Sequence, residues 1–309
     1  MTTSTPIAPP DAADADVRTD QAEGSGGPPT AAVVVGADGT ECGLGAVRWA
    51  AQEAARRNAP LRIVHATAVP RRHGRHEPAA AEPPHAKRIA AQAYTVAKHT
   101  ESGVPSVAEV VAGDAAKVLL TAAIDAQLVV LGKSTTGAAD EWILAPVAVR
   151  VAARSPRPVI LVPRPRGAAP DRPVAAVLGL GEPGDDERVA EFAAEAAQRA
   201  GTSLSVLEVR RPRSPATGAW TADESEWARR FPGLEIDRSE LPRATPGQVL
   251  SATGPAPLIV LSAGHGSLLH RELDGPHRWL LRHCTSPMAL VPPVHRAELD
   301  PREEIVAVG

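Results

Sequence analysis

The chain has 309 residues, 43% hydrophobic and 22% charged, with a formal net charge of −3. That length exceeds what one hydrophobic core usually organises, so two domains are expected. The charge balance argues against a protein held on nucleic acid by bulk electrostatics, and aromatics at 3% remove most base-stacking platforms. Two cysteines, Cys42 and Cys284, cannot form a disulfide framework and fit a reducing compartment. No apolar run approaches the roughly 20 residues of a membrane helix, and Met1–Thr30 lacks the basic start and apolar stretch of a signal peptide. These features lead to the expectation of a soluble, cytoplasmic protein with neither nucleic-acid nor membrane partners.

Met1–Thr30 is rich in Pro, Ala, Asp, Gly and Thr. It cannot bury enough apolar surface to offset its ordering entropy and reads as a disordered tail. Order is expected from Ala31. The runs Val33–Gly36, Leu61–His65, Val107–Val111, Leu128–Leu131 and Val159–Val162 are apolar enough to be strands buried on both faces. Between them Leu44–Arg57, Lys87–His99, Lys117–Asp125 and Trp142–Ala153 read as helices, with Leu44, Val47, Ala51 and Ala54 along one face of the first. Strands alternating with helices through short connections imply a parallel sheet with right-handed crossovers.

The pattern then repeats. Gly36 matches Gly179 and Leu61 matches Leu204, both at an offset of 143. Leu120 matches Leu250 and LVVLGKS from Leu128 matches LIVLSAG from Leu258, at an offset of 130. RPVILVP from Arg157 matches SPMALVP from Ser286 at 129. Offsets that step only in loops mark a tandem duplication. The expected fold is α/β: two tandem Rossmann-like (flavodoxin-like) units, each a five-stranded parallel sheet with helices on both faces. The units span 31–163 and 173–292, with Arg164–Pro173 as linker and 293–309 as a C-terminal tail. The second opens with a helix over Glu187–Ala200. It is shorter in the middle, where the basic, Pro-rich loop Pro70–Pro84 has a reduced partner around Arg210–Gly218. The terminal runs at Val159 and Ala289 would leave unpaired edges, so the two units are expected to pack on each other as an intramolecular pseudo-dimer.

In a doubly wound sheet ligands bind at the carboxyl ends of the strands, where the strand order reverses. After strand one lie Gly36-Ala37-Asp38-Gly39-Thr40. Asp38 can accept from an adenine amine and Thr40 can cap the next helix, although turns and caps favour both residues anyway. After strand four lies Gly132-Lys133-Ser134-Thr135-Thr136-Gly137. This is not a Walker A loop, because the position that needs its first Gly is Gln127, inside a strand. It is a candidate for another phosphate cradle, built from exposed amides and the hydroxyls of Ser134 and Thr135.

The strand, GADGT, helix ending RWAAQEAARR, strand ending in His65, LVVLGKSTTG and SPRPVILVP together resemble the universal stress protein family. The resemblance covers both repeats and implies a tandem member. It also implies ATP as the ligand, held by an Asp after strand one and a G-x-x-G loop, with G-S or G-T nine residues later. Asp38 and Gly132 match the Asp and the first Gly. Thr135 stands at the second Gly, and Ala145-Pro146 at the Gly–Ser pair. Proline has no N–H to give a phosphate, so the expectation is weak ATP binding in the first repeat only. In the second repeat Gly181 replaces the Asp, beside Glu182, and Ser262 and His265 replace the loop glycines. The later position reads Asp274-Gly275 or Gly275-Pro276, and a carboxylate there repels a triphosphate. That site reads as lost.

Ten histidines are present, but His73, His76, His85, His265, His270, His277 and His283 follow no metal-ligand spacing and read as solvated. Cys42 and Cys284 read as packing or helix-end residues. No Gly-x-Ser-x-Gly elbow marks a nucleophile. The basic loop Arg71–His76 reads first as solvated and second as a docking site for an unknown protein partner. The functional expectation is a non-catalytic stress-response protein that acts by binding. Its alternative is a slowly hydrolysing ATP-binding protein, with an adenylate-forming enzyme of the same architecture a distant third.

Overall fold

The computed structural model describes residues 30–67, 84–133, 146–164, 171–181, 184–210, 224–264, 273 and 275–293. The expected tail at Met1–Thr30 lies outside these residues except for Thr30, as do most of the two central loops and the linker.

The first repeat runs β1 (Ala32–Gly36), α1 (Glu41–Arg56), β2 (Leu61–Thr67), α2 (Pro84–Thr100), β3 (Ser106–Ala112), α3 (Ala115–Ala123), β4 (Ala126–Gly132), α4 (Pro146–Arg154) and β5 (Val159–Val162). The second runs β6 (Val174–Leu178), α5 (Asp185–Ala200), β7 (Leu204–Arg210), α6 (Glu224–Arg230), β8 (Ile236–Pro242), α7 (Pro246–Thr253), β9 (Ile259–Ser262), α8 (Gly275–His283) and β10 (Met288–Val291). All ten strands form one sheet in the order β3-β2-β1-β4-β5-β10-β9-β6-β7-β8. Every pairing inside a repeat is parallel.

The repeats meet where β5 and β10 run antiparallel, with Met288 opposite Leu161, Ala289 opposite Ile160 and Leu290 opposite Val159. With the offset of 129, this register maps onto itself. The Ile160–Ala289 pair therefore lies on a pseudo-two-fold axis, and each repeat covers the other's exposed edge. The side chains of the two strands alternate between the faces of the sheet. Ile160 and Ala289 join one core, whereas Val159, Leu161, Met288 and Leu290 join the other. Both cores contain residues of both repeats.

Local chemistry fixes the helix ends. Thr40 caps α1 by accepting from the Gly43 N–H at 3.0 Å, with Glu41 in the first turn and Arg56 in the last. The buried face of α1 is Gly43, Gly45, Ala46, Val47, Ala50, Ala51 and Ala54, small residues that bring the helix close to the sheet. One expectation is corrected at the margin. Val107–Val111 is not buried on both faces, because β3 is an edge strand and Val107 is 54% exposed.

Candidate functional site

In the order 3-2-1-4-5, the connections leaving β1 and β4 travel in opposite directions, so a crevice opens between the carboxyl ends of these neighbours. Asp38 follows β1 and is exposed. Its Oδ1 accepts from Thr40 N–H at 2.9 Å and from the Thr40 hydroxyl at 2.7 Å, while the same hydroxyl caps α1. The turn-and-cap reading of this pair therefore holds. It leaves the carboxylate fixed at the mouth of the crevice, with Oδ2 taken by no donor among the described residues.

Gly132 ends β4 directly beneath the start of α1. A Cβ here would stand 2.7 Å from the carbonyl carbon and oxygen of Cys42 and 2.8 Å from the Gly43 nitrogen. Only glycine permits that approach. Gly43, which the sequence reading passed over, is equally constrained, since a Cβ on it would collide with Asp38 Oδ1. His65, two residues before the end of β2, was also missed as a site residue. Its Nδ1 lies 2.7 Å from the Ala37 carbonyl oxygen, tying the β2 end to the turn that carries Asp38. The G-x-G spacing of Gly43 and Gly45 was the available signal for the first. The second had none beyond its place near the carboxyl end of a strand.

Lys133 does not extend into the crevice. It is buried, its N–H donates to Val162, and its ammonium donates to the Cys284 carbonyl at 2.6 Å, across the junction of the repeats. Ser134, Thr135, Gly137 and Ala145 lie outside the described residues. Pro146 is the first residue of α4. Proline suits that position because an N–H there has no partner within the helix, and its presence leaves one donor fewer at this helix start.

The corresponding place in the second repeat is filled from within. Ser262, equivalent to Gly132, donates its hydroxyl to buried Asp185 Oδ2 at 2.8 Å. The neighbouring Asp186 accepts from the Gly179 N–H at 2.8 Å. Two carboxylates thus occupy the positive end of α5. Glu208 stands where the first repeat has His65, and burial, with Glu240 and Asp186 adding to it, pushes its carboxyl above the usual range. The His277 ring, equivalent to Ala148 and fully buried, lies 2.8 Å from where a Cβ of Gly264 would be. Gly264 itself has φ +81°, a backbone state that glycine tolerates.

A family model described as the universal stress protein family matches residues 30–163. A universal stress protein of Mycolicibacterium smegmatis is 26% identical over 285 residues, covering 84% of this chain and 97% of that protein. Another, from Mycobacterium tuberculosis, is 25% identical over 219 residues, covering 69% of this chain and 78% of its own. The first repeat is thus a universal stress protein domain, and the whole chain is similar to universal stress proteins across both repeats. The crystal structure of a universal stress protein from Archaeoglobus fulgidus shares the fold. Its TM-score is 0.62 at 16% identity, and the match covers 85% of this chain and 98% of that one.

The other candidate residues are placed by the same fold. Among the described residues no group of His, Cys, Asp and Glu could hold a metal ion, and no helix is long and apolar enough to cross a membrane. His277 is a core residue rather than a solvated one. His283 bonds the Trp279 carbonyl and stacks on the Trp279 ring, and His85 lies 3.0 Å from an Arg88 nitrogen. His73, His76, His265 and His270 lie outside the described residues. Burial pushes both thiols up. At Cys42 the charges of Asp38 and Glu41 add to the effect while Arg164 opposes it.

Proposed function

We propose that the protein is a regulatory, non-catalytic member of the stress response, acting by binding, and that it takes an adenine nucleotide weakly and in the first repeat only. The contrast between the two strand-end crevices carries this reading. In the first, Gly132 leaves the backbone at the start of α1 bare and Asp38 stands at the rim. In the second, Ser262 and Asp185 fill the equivalent space with a hydroxyl and a buried negative charge. A carboxylate at a helix start already takes the place an anionic ligand would occupy.

The adenine end of the first crevice keeps its acceptor, whereas the phosphate end lacks a Gly at Thr135 and an N–H at Pro146. Each missing charge-assisted hydrogen bond is worth about 1.5–3 kcal/mol, so the two lower ATP affinity by about two to four decades. Isothermal calorimetry tests the reading. AMP and adenosine are expected to bind nearly as well as ATP, with one site per chain. Changing Thr135→Gly, Ala145→Gly and Pro146→Ser together restores a preference for ATP, and adding Asp38→Ala abolishes binding. Micromolar, Mg-dependent ATP binding by the unaltered protein sinks the proposal in favour of the ATP-hydrolysing alternative.

A further inference from the structure

At the first crevice an ion pair crosses the end of β4. Strand β5 ends at Val162, level with Gly132 of β4, and Arg164 lies just beyond it. Glu41 follows β1, the strand on the other side of β4, and opens α1. The Arg164 guanidinium donates through Nη2 to Glu41 Oε2. Its charge also acts on Cys42, pulling that thiol down against the larger effect of burial. Cys42 is the residue whose carbonyl a Cβ on Gly132 would strike. The cation therefore stands at the rim of the crevice, where β4 leaves the backbone of α1 bare.

This is a place a phosphate would take. A guanidinium fork matches carboxylate and phosphate oxygens alike, and the first turn of a helix favours an anion. Here the anion is Glu41. Lys133 is turned away to the Cys284 carbonyl. The second repeat makes the same substitution more deeply. At the offset of 143, Glu41, Cys42 and Gly43 correspond to Gly184, Asp185 and Asp186, and Asp185 is buried. The version in the first repeat is reversible. The side chains of Arg164 and Glu41 are 63% and 66% exposed, and a pair so open to water is held weakly.

We propose that Glu41 sets the ligand preference of the first crevice by holding Arg164 in place of a ligand phosphate. Resting on the adenine reading of that crevice, this makes Glu41 its specificity-determining residue. An adenine nucleoside is accepted as readily as its phosphate esters. A phosphate arriving at Arg164 must displace a carboxylate and then lie beside it, so attraction and repulsion offset each other. Without that carboxylate Arg164 becomes a phosphate contact, and the preference turns toward nucleotides.

Calorimetry on the full chain tests this with adenosine and AMP. The parent should bind the two about equally. Glu41→Gln should favour AMP over adenosine by about tenfold, the value of one hydrogen bond to a charged group. Combining it with Arg164→Gln should bring the ratio back towards one, and Arg164→Gln alone should turn it against AMP. Inorganic pyrophosphate probes the same exchange without the adenine. It should raise the unfolding midpoint of Glu41→Gln saturably and leave that of the double variant unmoved. Adenosine binding with a ratio that Glu41→Gln does not shift overturns the inference and spares the adenine reading. A pyrophosphate response without adenosine binding supports the exchange at Arg164 and overturns only the adenine reading. The absence of both responses overturns both.

Discussion

A Cβ on Gly43 would occupy the space of Asp38 Oδ1, so this helical glycine sets where the carboxylate rests. Gly43→Ala should displace Asp38 without unfolding the protein, because Ala in place of a helical Gly returns about 0.5–1 kcal/mol. The expected outcome is stability near that of the parent and about tenfold weaker adenosine binding, the value of one hydrogen bond to a charged acceptor. Calorimetry and a urea titration on the same variant separate the two effects, and unchanged adenosine affinity would dismiss Asp38 as the adenine acceptor. Gly132→Ala should behave in the opposite way. Its Cβ meets only backbone, at 2.7–2.8 Å, so β4 and α1 must move apart at a cost of about 1–3 kcal/mol, read as a lower urea midpoint. Asp38 and Gly132 were legible in the sequence because the topology of a doubly wound sheet says where to look. Asp185 was not. The reading placed the repelling carboxylate at Asp274, which lies outside the described residues, whereas the one that fills the second crevice opens α5 and is paired with Ser262, 77 residues away.

Elements were legible where burial is one-dimensional and blurred where a side chain decides the end. The strand at Val159–Val162 matches its expected span residue for residue, since four apolar residues between prolines leave no choice. Helix α1 begins at Glu41 rather than Leu44 because Thr40 caps it. Helix α3 likewise begins at Ala115 because Asp114 accepts from the Lys117 N–H at 3.0 Å. That second cap carries a pH signature. The Arg150 guanidinium, 3.1 Å from Asp114 Oδ2, and the Lys117 and Ala116 amides hold the Asp114 carboxyl below its usual pKa. The contribution is therefore full above the unfolded value of about 3.9 and fades as the pH falls through the lower folded one. Asp114→Asn keeps a capping side chain but loses the charge. Both partners are about half exposed, so the variant should lose only about 0.2–1 kcal/mol at pH 7, and the difference should vanish in strong acid. Chemical denaturation across the acid range checks this, and a gap that persists at the lowest pH would place the effect in packing rather than charge.

At the scale of the whole molecule, the junction of the repeats is self-complementary in register although its residues differ. Ile160 faces Ala289 on the axis, and Val159 and Leu161 face Leu290 and Met288. The Lys133 ammonium bonds the carbonyl of Cys284, whose counterpart at the offset of 129 is Ser155, likewise buried just after a helix. The thiol of Cys284 and the hydroxyl of Ser155 even make the same bond, each to the carbonyl two residues on, at 3.4 and 2.7 Å. A first repeat expressed alone, residues 30–164, therefore presents everything one side of this junction needs to meet a second copy of itself. Its β5 can pair antiparallel with another β5, Ile160 against Ile160, and each Lys133 finds a Ser155 carbonyl. The exposed edge and the apolar residues on both faces of β5 favour that pairing over a bare edge. The expected result by sedimentation is a reversible homodimer in the micromolar range. Ile160→Pro should abolish it, because proline on the axis removes a ladder donor and obstructs the partner strand. A folded fragment that stays monomeric at high concentration would mean that the linker, rather than the strand pairing, holds the two halves together.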